Sequence, residues 1–239
     1  MIGQLIGELA PKLVLCTGTS GAIGPVLQCG DVAITARARL HCLSKHPAFP
    51  ELATMTTART ELTSAVTVNP KYVQYAAANF TQLSLPGLAK CYAELSTRPE
   101  NAFLKPAAGP PAIYLEGVNP VPGTQPMDVV SADYLSVDDA TDAEGLQALG
   151  IVNETDDAFA FYAISQLPAA SQPKWLSVRN ASEPQIVVQP TPGQTPAAFA
   201  KTLGSVAGAI YGVYQYCTTL NSAFACWGVI AGMNEAAAD

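Results

Sequence analysis

The chain has 239 residues, is 49% apolar and only 13% charged, and carries a net charge of −7. That length and apolar content suit one large α/β domain, while the acidic balance and the lack of a basic patch exclude a nucleic-acid backbone as the natural partner. So low a charge implies surface hidden against other subunits.

In chain order, Ile2 to Leu9 carries a weak helical pattern that Pro11 stops. Leu13–Cys16 reads as a short buried parallel strand. It runs into Thr17-Gly-Thr-Ser-Gly21, a small, hydroxyl-rich string suited to a turn beside a ligand. Gly30-Asp31 signals a turn before a second strand, Val32–Thr35. From about Lys45 to Gly109 the proline and threonine content reads as a divergent insertion, with helical patterning in Lys71–Phe80 and Leu88–Leu95. Ala112–Gly117 and Met127–Ala132 look like strands, with Val118–Pro126 a loop between them.

Asp142–Leu149 is a short helix closed by Gly150. Asn153 or Thr155 caps the next helix, which continues to Leu167 with Glu154, Asp156 and Asp157 in its first turn, where acids suit the helix dipole. Pro168–Pro173 is a loop, and Lys174–Val178 a strand ending at Arg179. Thr195-Pro196 opens a helix with a cap followed by proline. No charged residue occurs from Thr202 to Asn234, and Gly204, Gly208 and Gly212 are spaced like a membrane dimer motif. Gln215, Thr218, Thr219, Asn221 and Ser222 divide this run into pieces too short for a span of roughly 20 residues. The expectation is two packed helices, with the glycines allowing close approach to a neighbour.

Strands alternating with helices predict a single α/β domain over residues 1–239, with a mixed, mostly parallel central sheet flanked by helices. Ligands of such sheets sit outside the carboxyl ends of the strands. Thr17–Gly21, Asp133–Leu135 and Arg179–Glu183 each leave a strand into small or polar residues, so all three are expected to converge on one pocket, with the acids near Glu154 at its rim. Cys16, Cys29, Cys42, Cys91, Cys217 and Cys226 show neither a C-x-x-C pair nor ligand spacing with His41 or His46. They read as free thiols of a cytoplasmic protein, with no metal site. No basic segment precedes Leu5, so a signal peptide is not indicated. Arg179 is expected in a structural ion pair.

Five stretches, CTGTSGA at 16–22, LQCGDVA at 27–33, SADYL at 131–135, NETDDA at 153–158 and VRNASE at 178–183, resemble in order and spacing the nucleoside phosphorylase superfamily. That group includes purine and uridine phosphorylases, methylthioadenosine/adenosylhomocysteine nucleosidases and AMP nucleosidase. The resemblance covers about residues 5–35 and 125–232. It implies that Glu154 holds the ribose 2′- and 3′-hydroxyls, with Asp156 or Asp157 in support. Asp133, Tyr134 and Leu135 would lie at the base. Ser182 and Glu183 stand at the family's catalytic Ser-Asp, which protonates the leaving purine; glutamate is one methylene longer. Thr17, Gly18, Thr19, Ser20 and Gly21 would form the loop for phosphate or water. Cys16 stands where phosphorylases carry a phosphate-binding arginine; the resemblance implies that the family's hydrolases lack that arginine too, so hydrolysis is favoured.

The activity implied is cleavage of the N-glycosidic bond of a purine-type nucleoside, without cofactor. The alternatives are a nucleoside-binding module that has lost turnover, and phosphorolysis with phosphate as co-substrate and an arginine supplied by Arg37, Arg39 or a neighbouring subunit. Family members carry a first strand ahead of this point, where this chain has about a dozen residues. A homo-oligomer, or a second polypeptide completing that part of the fold, is therefore the expected assembly, with neither nucleic acid nor membrane as partner.

Overall fold

The computed structural model describes residues 2–41, 61–78, 111–132, 142, 145–183, 186 and 190–236. Helix α1 (Ile2–Leu9) ends as read from the sequence: Ala10 adopts a left-handed φ of 44° and Pro11 follows. The strands are β1 (Leu13–Ala22), β2 (Val32–Thr35), β3 (Arg37–Leu40), β4 (Glu61–Thr63), β5 (Ile113–Leu115), β6 (Val129–Ser131), β7 (Val152–Glu154) and β8 (Lys174–Glu183). Three further helices are α2 (Pro70–Ala78), α3 (Asp157–Ser165) and α4 (Pro196–Ala236). Short 3₁₀ turns at Leu146–Ala148 and Ala169–Ser171 replace the helix expected at 142–149 and part of the loop expected at 168–173.

The eight strands form one sheet in the order β4-β3-β6-β7-β1-β8-β2-β5. β1/β8, β2/β5, β3/β6 and β6/β7 are parallel; β1/β7, β2/β8 and β3/β4 are antiparallel. The mixed, mostly parallel α/β sheet expected from the sequence is therefore present. Alternate residues of β8 sort onto its two faces, as a two-residue period requires. Trp175 and Ala181 join the core with Ile6, Phe161 and Ile164 of α1 and α3. Leu176 and Val178 join Val73, Ala225 and Val229 of α2 and α4. The Trp175 ring stacks on Phe161 with centroids 3.7 Å apart.

β1 and β8 run far beyond the strands expected at 13–16 and 174–178. Thr17–Gly21 and Arg179–Glu183 are not loops: they pair with each other in parallel register, Gly18 with Arg179 and Thr19 with Asn180. Each string satisfies the other's backbone, which overrides its own turn tendency. The Ser20 hydroxyl adds a bond to the Asn180 carbonyl at 2.9 Å.

α4 is one continuous helix, not two. The polar residues expected to interrupt it are accommodated: Thr218 and Thr219 hydroxyls donate to the Gln215 carbonyl at 3.2 and 2.7 Å, and the Asn221 amide donates to the Gly30 carbonyl at 2.8 Å. Its start is as read, with the Thr195 hydroxyl accepting the Ala198 amide at 3.2 Å. The close approach falls at other glycines. A Cβ at Gly232 would lie 2.8 Å from the Asn69 carbonyl oxygen, and one at Gly228 would lie 3.1 Å from that of Tyr72, whereas Gly204, Gly208 and Gly212 face open space. Among the described residues, no helix is long and apolar enough to cross a membrane. Cys16, Cys29 and Cys226 are free, but Cys217 is disulfide-bonded, which corrects the expectation of free thiols throughout.

Candidate active site

β7 ends at Glu154 and α3 begins at Asp157, so Glu154 belongs to a strand end and not to the helix's first turn. Only Asp157 lies in that turn, with Asp156 as N-cap. Register places Glu154 beside Ser131 at the end of β6, and Gly21 of β1 beside Asn153. Glu154 is 4% exposed, and both its carboxyl oxygens are engaged. One accepts the Ser131 hydroxyl; the other accepts the Asp156 and Asp157 amides, at 2.5 and 2.9 Å. Ser131 in turn accepts the Ala158 amide at 2.7 Å. Glu154 therefore closes the orphan amides of α3 from outside the helix.

Arg179 reaches the same place from β8. Its Nε donates to Asp157 Oδ2 at 2.9 Å, and one terminal nitrogen donates to Asp157 Oδ1 and Asp156 Oδ1 and lies 3.5 Å from Glu154 Oε2. The other terminal nitrogen donates to the Thr19 carbonyl at 3.1 Å. The ion pair read for Arg179 is thus present, and Asp157 is its buried bidentate partner, held also by the Ser177 hydroxyl. A Cβ at Gly18 would come within 2.7 Å of the guanidinium, so glycine there leaves the room it fills. Glu154, Asp156 and Asp157 converge within 4.8 Å, and the positive charge they gather around is Arg179.

Burial pushes the Glu154 carboxyl up to about 8, helped by its hydrogen bond to Asp156 and the Asp157 charge. The same hydrogen bond, with Arg179 beside it, holds Asp156 below the usual carboxylate range. With Glu154 carrying the proton, two carboxylates face one guanidinium and leave one net negative charge. Asp156 is the member that meets solvent, its side chain 74% exposed. Cys16, on the neighbouring strand, is pushed up to about 12 by burial and then by Asp157, so its thiol stays protonated and is no nucleophile.

The raised Glu154 carboxyl has a stability consequence. The folded state keeps a proton that the unfolded state releases at its ordinary 4.5, so this contribution is complete below about 4.5 and lost as pH rises towards about 8. Asp31, raised to about 6 by burial, acts with the same sign over a lower window. Urea midpoints are expected to fall from about pH 5 to about pH 8 in the native chain, and Glu154→Gln is expected to remove the part of that fall above about pH 6.

Glu183 ends β8 and is 5% exposed. It accepts the Ser182 hydroxyl, and burial raises its carboxyl above the ordinary value against that bond. Gly21 pairs with Glu183 on one side and Asn153 on the other. One strand therefore separates Glu183 from the Glu154 cluster, about 10 Å between backbones.

Thr17, Gly18, Thr19, Ser20 and Gly21 lie in the middle of this arrangement, but their hydroxyls divide between two faces. Thr17 meets the Cys226 thiol of α4, and by strand alternation Thr19 shares that face, away from Arg179. Asp133, Tyr134 and Leu135 lie outside the described residues; Ala132, just before them, donates its amide to the Glu154 carbonyl at 3.0 Å. Arg37 and Arg39 are committed elsewhere. Both bind Asp128, at 2.8 and 2.6 Å, and they pair further with Glu116 and Glu61. Cavities of about 390 and 280 Å³ lie near the start of β8 and beside β5, apart from the cluster.

At the level of sequence, no family model and no curated protein matches this chain. Solved structures do. A 5′-methylthioadenosine/S-adenosylhomocysteine nucleosidase of Neisseria meningitidis, in complex with methylthio-immucillin-A, superposes with a TM-score of 0.51 at 15% identity, covering 96% of this chain and 73% of its own. The corresponding nucleosidase of Colwellia psychrerythraea, in complex with adenine, gives 0.52 at 14%, covering 97% and 71%. A futalosine hydrolase of Helicobacter pylori gives 0.52 at 9%, covering 96% and 72%. This is the nucleoside phosphorylase fold. Within it, the chain gathers Glu154, Asp156, Asp157 and Arg179, with Glu183 four residues beyond Arg179 on β8 and one strand away from Glu154.

The site also contains residues that the sequence reading left without a role. Ser131 and Ser177 fix the two buried acids. Ser177 lies two residues before Arg179 on one strand, and that shared face was the available signal.

Proposed function

We propose that this chain hydrolyses the N-glycosidic bond of a purine-type nucleoside. The observation that carries the reading is the buried guanidinium–carboxylate cluster with one net negative charge and one exposed carboxylate, with the buried Glu183 carboxyl, raised above its ordinary value by burial, one strand from Glu154. Bond cleavage makes the sugar cationic at its anomeric carbon, and a fixed net negative charge stabilises that state. Asp156 presents its carboxylate to the ribose hydroxyls, while Glu154, its oxygens already engaged, and Asp157 hold Asp156 and Arg179 in place. Glu183 gives its proton to the departing base. Water attacks the anomeric carbon, so a C–O bond replaces the C–N bond, and the proton that water loses restores the Glu183 carboxyl. The base is assigned to Asp133, Tyr134 and Leu135 on the family resemblance.

Water is preferred to phosphate because Cys16 stands in place of an arginine and Arg37 and Arg39 are tied to Asp128, about three strand spacings from β1. No cofactor or metal takes part in this reading. The cytoplasmic location expected from the sequence rested on free thiols, and the Cys217 disulfide removes that ground. The second reading, a binding module, is favoured by glutamate at 183, whose extra methylene displaces the proton. Free-base release from adenosine, inosine and methylthioadenosine, with and without phosphate, separates the readings. Phosphate-independent release is expected. Release only with phosphate indicates a phosphorylase, and binding without release indicates the module.

A further inference from the structure

The exposed side of α4 is built in two unlike halves. Gly204, Gly208 and Gly212 are exposed, and among the described residues nothing lies within 4 Å of a Cβ at any of them. On the same side, one helical repeat after another, come Tyr216, Thr219, Ala223, Trp227 and Ile230, all exposed. At 3.6 residues per turn these eight positions stay within less than half the circumference, and the strip is about 39 Å long. Tyr216 is 69% exposed and Trp227 47%. Tyr75 of α2 extends the patch, its ring 6.2 Å from that of Trp227.

We propose that this strip docks on the same strip of a second copy of the chain, the two helices antiparallel about a two-fold axis at the level of Cys217 and Thr218. That axis sets Gly208 opposite Trp227, Gly204 opposite Ile230, Gly212 opposite Ala223 and Tyr216 opposite Thr219. The three bulky side chains of the strip, Tyr216, Trp227 and Ile230, each meet a small one, and a single surface is complementary to itself, as an isologous interface requires. Charge supports the same occupant. The chain carries a net −7, so two copies repel over most orientations, yet no Asp, Glu, Lys or Arg lies between Lys201 and Glu235. Area supports it too. Tyr75, Tyr211, Tyr216, Trp227 and Ile230 together leave roughly 500 Å² of side chain exposed. That is the size of the largest apolar patch a monomer typically exposes, which is often a functional one, and with the small residues it approaches the roughly 800 Å² per partner of a standard interface.

The test is the mass of the full chain by light scattering at about 10 μM, with helix content followed by circular dichroism. The native chain is expected to run at twice 24.9 kDa, and Gly208→Arg as a folded monomer. Gly208→Trp and Trp227→Gly should each weaken the dimer at least about tenfold, while the double exchange, which restores a Trp opposite a Gly, should recover most of that loss. A monomeric native chain overturns the proposal, including one that sediments with phosphatidylcholine vesicles, which would make a lipid surface the occupant. A double exchange no better than its parents overturns the pairing.

Discussion

Arg179→Met is expected to lower the stability of the fold by about 3–5 kcal/mol, a large share of the roughly 5–15 kcal/mol that a domain possesses. The magnitude follows from what is left behind. Asp157 is fully buried and takes two of its bonds from the guanidinium, so removing Arg179 strands a carboxylate with the Ser177 hydroxyl and the weak Cys16 thiol as its side-chain donors among the described residues. Asp156 and the Thr19 carbonyl lose the same partner. A buried pair removed as a whole behaves differently, because its desolvation cost disappears with it. Arg179→Met combined with Asp157→Leu is therefore expected to regain most of the loss in urea denaturation. It should not regain activity, since Asp156 would no longer be held. Equal instability of the single and double variants would show that the cluster is not coupled.

Glu183→Gln is expected to lower turnover by about 10²–10⁴-fold and to change nucleoside affinity only a few-fold. Glutamine keeps the shape and the bond with Ser182 but has no proton to give to a leaving base. Glu183→Asp is the informative companion. It shortens the side chain towards the form the family resemblance implies, so it should keep a substantial part of the activity. Unchanged turnover in Glu183→Gln would remove this carboxyl from the chemistry.

Much of the fold was legible because apolar runs with clear stops declare themselves. Val32–Thr35 and Ile2–Leu9 came out with their observed ends. β3 was missed: Arg37-Ala-Arg-Leu40 alternates with the period of a strand, but its arginines were weighed only as a source of phosphate contacts, and Asp128, far along the chain, explains why they can sit in a sheet. Thr17–Gly21 and Arg179–Glu183 misled for a related reason. Neither string is a strand by composition, and each becomes one by pairing with the other. The continuity of α4 was hidden because Asn221 and Thr218 have partners that a sequence cannot display.

The candidate site shows the same division. That acids near residue 155 would meet Arg179 and Thr17–Gly21, the second half of β1, could be read, and the Arg179 ion pair was expected. Which acid is offered to solvent could not be read, because that depends on two backbone amides of α3 and the Ser131 hydroxyl occupying Glu154. Sequence order favoured Glu154 for the sugar; burial favours Asp156.

The most direct measurement is a structure of the Glu183→Gln variant with methylthioadenosine. The ribose hydroxyls should lie within hydrogen-bond reach of the Asp156 carboxylate and the base beside residue 183. A nucleoside seated instead in the cavity lined by Trp175 and Ser64, or bound with its sugar turned away from Asp156, would contradict the account.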